Sequence, residues 1–447
     1  MAHVIVIGSG AMGLATAFHA IEAGHTVEVL EAAPEPGGMA AHFDLAGLSI
    51  ERFYHFVCKS DLETMRLLRE LGIEHKLRWR ETSMGMFTDG KLYEWGNPLA
   101  LLRFDQISLL SRLRYALFAF VSVRRDRWDA IETESARSWI TRWCGTEVYD
   151  RLWRPLFELK FFRYADNISA AWIWTRIKRV GRSRSSMMQE ELGYIEGGSQ
   201  TLVDALCSAI RDRGGEIRLR CPVWRVLVED GRVTGVATPS GNLRADVVIS
   251  TVPTPLVTSM IPSLPEDWKA RYDSIANMGV CCLVFKLKRS VSKHFWVNIN
   301  EPDISIPGII EFSNLRPLGG ETVIYVPYYM PTDYPKFSWT NDALLEEAFG
   351  YLQRINPNLV REDIIASYVA RLRHAQPVCE PGFAKKIPPI ETPIAGLQVA
   401  DTCFYYPEDR GISESARLGR EMVDRIASLK SSAVPASNHR EVEQQVA

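Results

Sequence analysis

No two of the 8 cysteines stand in a C-x-x-C pair, so the chain offers neither a zinc-ligand spacing nor a disulfide framework, and no metal is expected. The adjacent Cys281 and Cys282 read as buried packing rather than redox chemistry. Charge of one sign is lacking too: the 447 residues carry a net charge of −2, which gives no global electrostatic case for a nucleic-acid partner. No apolar run near a helix reaches the roughly twenty residues that a membrane-spanning helix needs. The longest, Tyr115 to Val123, is bordered by Arg112, Arg114, Arg124, Arg125 and Arg127. A buried helix with basic ends is the expected reading. The other is an anchor lying in the membrane interface with arginines at the headgroups, which leaves peripheral membrane contact open. No basic n-region precedes the first strand, so a cytoplasmic location is expected. What is present is a chain 46% hydrophobic and 24% charged, usual for a globular protein and long enough for two or three domains.

Glycine placement carries the first positive signal. In HVIVIGSGAMGLATAFHAIEAGHTVEVLEA, residues 3–32, Val4 to Ile7 make a short apolar run suited to a buried parallel strand. Gly8, Gly10 and Gly13 then form G-x-G-x-x-G. Gly8 allows the tight turn, Gly10 lets backbone approach a pyrophosphate, and Gly13 permits close packing of helix on strand. Ala11 and Met12 sit at the helix N-terminus that faces the phosphates. Leu14 to Ala23 reads as helix and Gly24 ends it. The second strand, HTVEVLE, ends on Glu31, whose carboxylate is placed for ribose hydroxyls, with Ala32 beside it. Strand, turn, helix and acid in this order point to a dinucleotide.

PEPGGMA follows the acid at once and puts Gly37, Gly38 and Met39 in a loop. From here the chain resembles the flavoprotein superfamily of flavin amine oxidases, protoporphyrinogen oxidase, phytoene desaturases and UDP-galactopyranose mutase. The resemblance implies FAD as cofactor, with the second glycine pair passing close to it. The arginine usual beside that pair is absent, Pro36 preceding it and Met39 following. The implied fold class is α/β (α+β overall), with a Rossmann-like FAD-binding domain built from segments 1–75, 190–255 and 390–430. A mainly helical subdomain is expected at 76–189, an antiparallel-sheet substrate domain at 256–389, and a flexible tail at 431–447. GGSQ, residues 197–200, opens a helix, and PVWRVLVEDGRVTGVAT reads as a hairpin turning at Asp230-Gly231. The resemblance puts the backbone of Val223 by the adenine, an ordinary strand valine being the alternative, and Asp401 by the ribityl-phosphate region. It also sets the amides of Gly411 and Ile412, at the start of the last helix, against the flavin's N1/O2 edge. There the helix dipole stabilises the negative charge gained on reduction.

Several groups compete for substrate roles. RIKRVGRSR presents Arg176, Lys178, Arg179, Arg182 and Arg184. Arginine forks suit phosphate groups, so an anionic small-molecule substrate is one reading and a solvated basic loop the other. Lys286 and Lys288 resemble the lysine that flavin amine oxidases hold near N5, although LVFKLKR alternates and sets both on one wet strand face. Tyr328 with Tyr329, and Tyr405 with Tyr406, fit either the aromatic walls of a cavity or the core. WRPLFELKFF, with Trp153, Arg154, Glu158 and Lys160, reads as structural. IERFYHFVCKSD, residues 50–61, falls where the resembled flavoproteins bring the chain past the isoalloxazine ring. RFYHF loosely resembles the histidine- and phenylalanine-rich segment of the mutases, which sets Tyr54 beside substrate and His55 near the flavin as proton donor or acceptor. A histidine satisfied by backbone in a packed loop is the other reading. Ser60 is expected to cap the helix that follows, with Glu63 in the capping box. The implied activity is hydride transfer from a small organic substrate to flavin N5. A flavin-dependent mutase or epimerase, acting on a nucleotide-linked or phosphorylated sugar without net redox, is the alternative. The oligomeric state is not legible.

Overall fold

Strand β1 (His3–Ile7) buries Val4, Ile5 and Val6 completely, as a strand packed over on both faces must. The chain turns through helix α1 (Ala11–Glu22) and returns as β2 (Thr26–Leu30), which lies parallel to β1. Gly24, at φ +81°, closes the helix. The strands Val247–Ser250, Leu397–Val399 and Glu216–Arg218 complete a five-stranded sheet, all parallel, although they come from distant parts of the chain. The computed structural model describes residues 1–431; the tail expected at 431–447 lies outside them apart from Ser431, the end of the Ile412–Ser431 helix.

The hairpin at Arg225–Glu229 and Arg232–Thr238 forms as expected. Asp230 and Gly231 both have positive φ, +48° and +72°, the geometry that a two-residue turn matched to strand twist demands. A third strand, Gly241–Arg244, extends it. A seven-stranded sheet forms the other half of the molecule, with Asn277–Leu287 between Ile364–Pro377 and Thr322–Met330. Only one of its pairings, Trp296–Asn300 on Met84–Thr88, is parallel.

That pairing corrects one expectation. Segment 76–189 is not helical from its start: Leu77–Thr82, Met84–Thr88 and Lys91–Trp95 are strands, and the last two extend the large sheet. Their alternation is short and crowded by charge, so it reads weakly against the helices that follow. Cys281 and Cys282 are both buried and free, on opposite faces of the Asn277–Leu287 strand.

Candidate active site

The turn after β1 is built by steric exclusion. Gly8 has φ +100°, donates its N–H to the Leu30 carbonyl at 2.8 Å, and presents its own carbonyl to α1. A Cβ on Gly13 would stand 1.9 Å from the Gly8 carbonyl oxygen, so no side chain is admissible there. Gly10 differs: a Cβ there would meet no protein atom within 4 Å. The space in front of it is what a pyrophosphate approaching the amides of Ala11, Met12 and Gly13 would fill. Glu31 organises the rim, accepting from the N–H and Oγ of Ser9 at 2.8 and 2.7 Å and from the N–H of Ala33 at 2.8 Å. Ala32 lies between these anchors.

The second glycine pair is docked on the first. Gly37 donates to the Ser9 carbonyl at 2.8 Å, and a Cβ on Gly38 would lie 3.1 Å from the Gly10 Cα. Gly38, Met39 and Ala40 form a single turn of 3-10 helix. Arg52 pairs with Glu35 of the same loop at 3.2 Å, with its Nε buried and unpartnered. Val223 has no backbone hydrogen-bond partner among the described residues; it lies between Cys221, which donates to the Glu31 carbonyl, and Trp224, which donates to that of Ala237. It precedes the strand rather than lying in it.

A buried charge cluster, not foreseen from the sequence, ties the first and second nucleotide segments together. The Glu51 carboxylate is bound by the Arg316 guanidinium at 3.0 Å, the Ser199 N–H at 3.1 Å and the His42 imidazole at 3.5 Å. Burial alone would raise the Glu51 pKa, but the His42 hydrogen bond and the Arg316 charge outweigh it and hold the carboxyl below its usual range. Gly198 is obligatory here, since a Cβ would fall 2.4 Å from a Glu51 carboxylate oxygen. Glu51 adjoins RFYHF in sequence, yet no local pattern distinguishes it from a surface acid; its partners lie far away in the chain.

Residues 52–56 form an irregular, half-buried loop, pinned at its far end by paired hydrogen bonds between Val57 and Gly193, both 2.7 Å. His55 faces a small cavity lined also by Glu51, Thr64, Ser199 and Ile412. Its Nδ1 is buried without a partner, and burial lowers its pKa against the opposing pull of Glu51, so the ring is neutral. The backbone-satisfied reading therefore leaves one nitrogen unexplained. Tyr54 packs edge-on against Trp296 and Tyr325. The expected cap at Ser60 is replaced: the helix is Leu62–Glu70, and Asp61 precedes it without a side-chain cap. Asp61 instead accepts from the Cys58 N–H at 2.9 Å and from both ends of the Arg179 fork.

Gly411 and Ile412 stand at the N-terminus of the final helix, with Ile412 across the cavity from His55 and open space in front of Gly411. Asp401, just after the Leu397–Val399 strand, accepts with one oxygen from the Thr254 N–H at 2.5 Å and from its hydroxyl, and with the other from the Cys403 N–H at 2.8 Å. The carboxylate holds two loops together.

Of the substrate candidates, Arg179 is spent on Asp61 and Tyr328 lies on the wrong face of its strand, donating to Glu347 at 3.0 Å within a separate core. Tyr406 bonds Ser169 at 2.7 Å and packs against Trp128 and Phe383. Lys286 is buried but far from this region, paired with Glu321 at 2.6 Å; Lys288 lies beyond the strand's end. Arg176 stays near the site, stacked 3.8 Å over Trp172 and bonded to Asp409 at 2.6 Å. Two unforeseen cations join it. Arg410 donates to the Tyr329 hydroxyl at 2.9 Å, and the Lys160 ammonium lies 5.0 Å over the Tyr329 ring with no hydrogen-bond or ion-pair partner among the described residues. Burial, reinforced by the Arg176 charge, pushes the Lys160 pKa well down despite Asp409. Lys160 looked structural because its neighbours are: Arg154 pairs with Asp150 and Glu158 is exposed. Among the described residues no cluster could hold a metal.

A parallel sheet with a glycine-built helix N-terminus, an ordered acid at the end of its second strand and a second helix N-terminus facing a cavity is the arrangement expected of a dinucleotide-binding protein. The chain belongs to the flavin-containing amine oxidoreductase family, whose sequence profile matches residues 13–374. It is 28% identical over 321 residues to zeta-carotene desaturase from Zea mays, covering 64% of this chain and 55% of that one. The chain thus spans about half the length of the curated relatives it matches. Its fold is shared with putrescine oxidase bound to putrescine (TM-score 0.71, 16% identity, 96% and 99% of the two chains). Reduced UDP-galactopyranose mutase shares it too (TM-score 0.72, 16% identity, 97% and 95%). The cofactor is FAD, and the open space at Gly10, the first-turn amides and the unpaired backbone of Val223 fit it.

Proposed function

We propose that the protein is an FAD-dependent oxidoreductase that removes hydride from a small organic substrate carrying an anionic group. The observation that carries the reading is the charge of the wall beyond Tyr54. Lys160, Arg176 and Arg410 converge on the Tyr329 and Trp172 rings, and Asp409 is the one acid among them. Asp409 is held well below the usual carboxylate range, because these cations outweigh its burial, and so it is ionised. Burial favours the neutral amine at Lys160, so the uncompensated charge is that of the second guanidinium; a carboxylate or phosphate would balance it and favour the ammonium at Lys160, whereas an amine cation would do neither.

FAD, when bound, supplies a two-electron acceptor for hydride. The chain's own residues do the rest. Lys160 and the arginines fix the substrate's anionic end, and the Tyr54, Tyr329 and Trp172 rings exclude water around it. His55, neutral and with Nδ1 free, accepts the proton that leaves as hydride departs.

Anaerobic mixing of the yellow holoenzyme with carboxylate- or phosphate-bearing candidates and their neutral esters tests this. Bleaching by the anion and not by its ester is the expected result. Equal bleaching by both removes the anionic requirement, and turnover confined to pre-reduced enzyme, with no net electron loss, removes the oxidation. His55→Gln is expected to slow flavin reduction by roughly 100-fold with little change in FAD content. Lys160→Met is expected to raise KM for the anion roughly tenfold or more while kcat changes less.

A further inference from the structure

The helix Leu109–Arg124 has its polarity reversed. The side it turns inward carries Ser111, Phe118 and Ser122, all buried, with Tyr115 partly so. The side it turns to water carries Leu109, Leu110, Leu113, Leu117 and Phe120, each more than half exposed, with Leu110 at 67%. Positions 109, 113, 117 and 120 share one helical stripe. A surface helix ordinarily does the opposite. The preceding helix, Pro98–Arg103, adds Leu99 and Leu102, both exposed. Arg112 locks the two helices together by donating to the Leu102 carbonyl at 2.7 Å and the Ile107 carbonyl at 3.0 Å. The apolar residues therefore form one rigid patch, of a kind that soluble monomers rarely expose without use.

Charge at its edges selects the occupant. Arg103 is exposed at the end of the first helix, and Arg124 lies over the Phe120 ring at 3.5 Å, with Arg125 next to it. Asp126 is neutralised by Lys178 and Arg182, and Asp105, which accepts from the Gln106 side chain at 3.1 Å, lies between the helices. An apolar field of leucines with an aromatic and arginines at its margin matches the acyl-to-headgroup step of a bilayer. Among the described residues no helix is long and apolar enough to cross one.

We propose that the face formed by helices Pro98–Arg103 and Leu109–Arg124 docks on an anionic lipid surface, with the helices lying in the interface. Flotation of the holoprotein with vesicles of equal parts phosphatidylglycerol and phosphatidylcholine, against phosphatidylcholine alone, tests it. The protein is expected to float with the anionic vesicles and to be released by salt. Leu110→Asp/Leu117→Asp is expected to weaken partition by roughly 100-fold at an unchanged melting temperature. Arg103→Glu/Arg125→Glu, which leaves the Arg124–Phe120 contact in place, is expected to weaken it roughly tenfold. Three results overturn the proposal: no flotation with either vesicle, flotation with both alike, or a stable dimer that the leucine variant turns into a monomer. The last would assign the face to a second copy of the chain.

Discussion

Replacement of Gly13 by alanine is expected to yield protein that no longer retains FAD. The new methyl would overlap the Gly8 carbonyl oxygen, 1.9 Å away. That oxygen belongs to backbone and has no rotamer to escape into, so the turn itself must move. Overpacking of this kind costs about 1–3 kcal/mol or more, and the displaced turn misdirects the amides of α1 as well. A fall in FAD affinity of roughly 100-fold follows, together with a lower melting temperature. Gly10→Val separates cofactor from fold. Its side chain meets no protein atom at Cβ, so the apoprotein is expected to melt normally while the flavin is lost. The ratio of flavin absorbance to protein, read beside a melting curve, checks both. A Gly10→Val protein with stoichiometric FAD would place the pyrophosphate elsewhere.

Glu51→Ala is expected to destabilise the protein by about 3–5 kcal/mol, the usual cost of leaving one member of a buried ion pair without its partner. Arg316 has little access to water, so it cannot be resolvated in place. The loss is read from chemical denaturation, with flavin content falling in parallel, since Ser199 and its helix lose their anchor to the first nucleotide segment. Glu51→Leu/Arg316→Met is expected to recover much of the stability, because it removes both charges. The wild-type cluster is also pH-dependent. The folded pKa of Glu51 lies below its unfolded value near 4.5, so its contribution is complete above that pH. As pH falls through the lower folded value the carboxylate takes up a proton and the contribution is lost. Acid unfolding of the wild type that matches Glu51→Gln across this window would remove Glu51 from the account.

The nucleotide half was legible because its requirements are local. Gly8, Gly10, Gly13 and Glu31 lie within one strand–helix–strand unit, and spacing alone reports their roles. The helix opened by GGSQ and the Asp230-Gly231 turn were readable for the same reason. The hydrogen bonds of Asp401 to Thr254 and Cys403 were not readable, because a carboxylate at a strand end looks the same whether it meets a ligand or backbone amides. The proposed substrate wall was largely illegible: Lys160, Arg176, Tyr329 and Arg410 are brought together by packing of helices on a sheet. Tyr328 and Tyr329 show the limit well. Adjacent strand residues point to opposite faces, and only the register on Asn277–Leu287 decides which of the two reaches the site. The reversed polarity of Leu109–Arg124 escaped because periodicity identifies an apolar face without saying which way it is turned.

The final helix packs along α1 so closely that a Cβ on Gly419 would lie 2.9 Å from the Thr16 nitrogen. Its N-terminus borders the cavity that His55 faces, while α1 carries the glycine turn at its own N-terminus. The first piece of the nucleotide fold to leave the ribosome thus waits for one of the last before the site exists. Because the sheet joins segments hundreds of residues apart, its strand edges are expected to stay unfilled until those segments are made, which places cofactor capture late in folding.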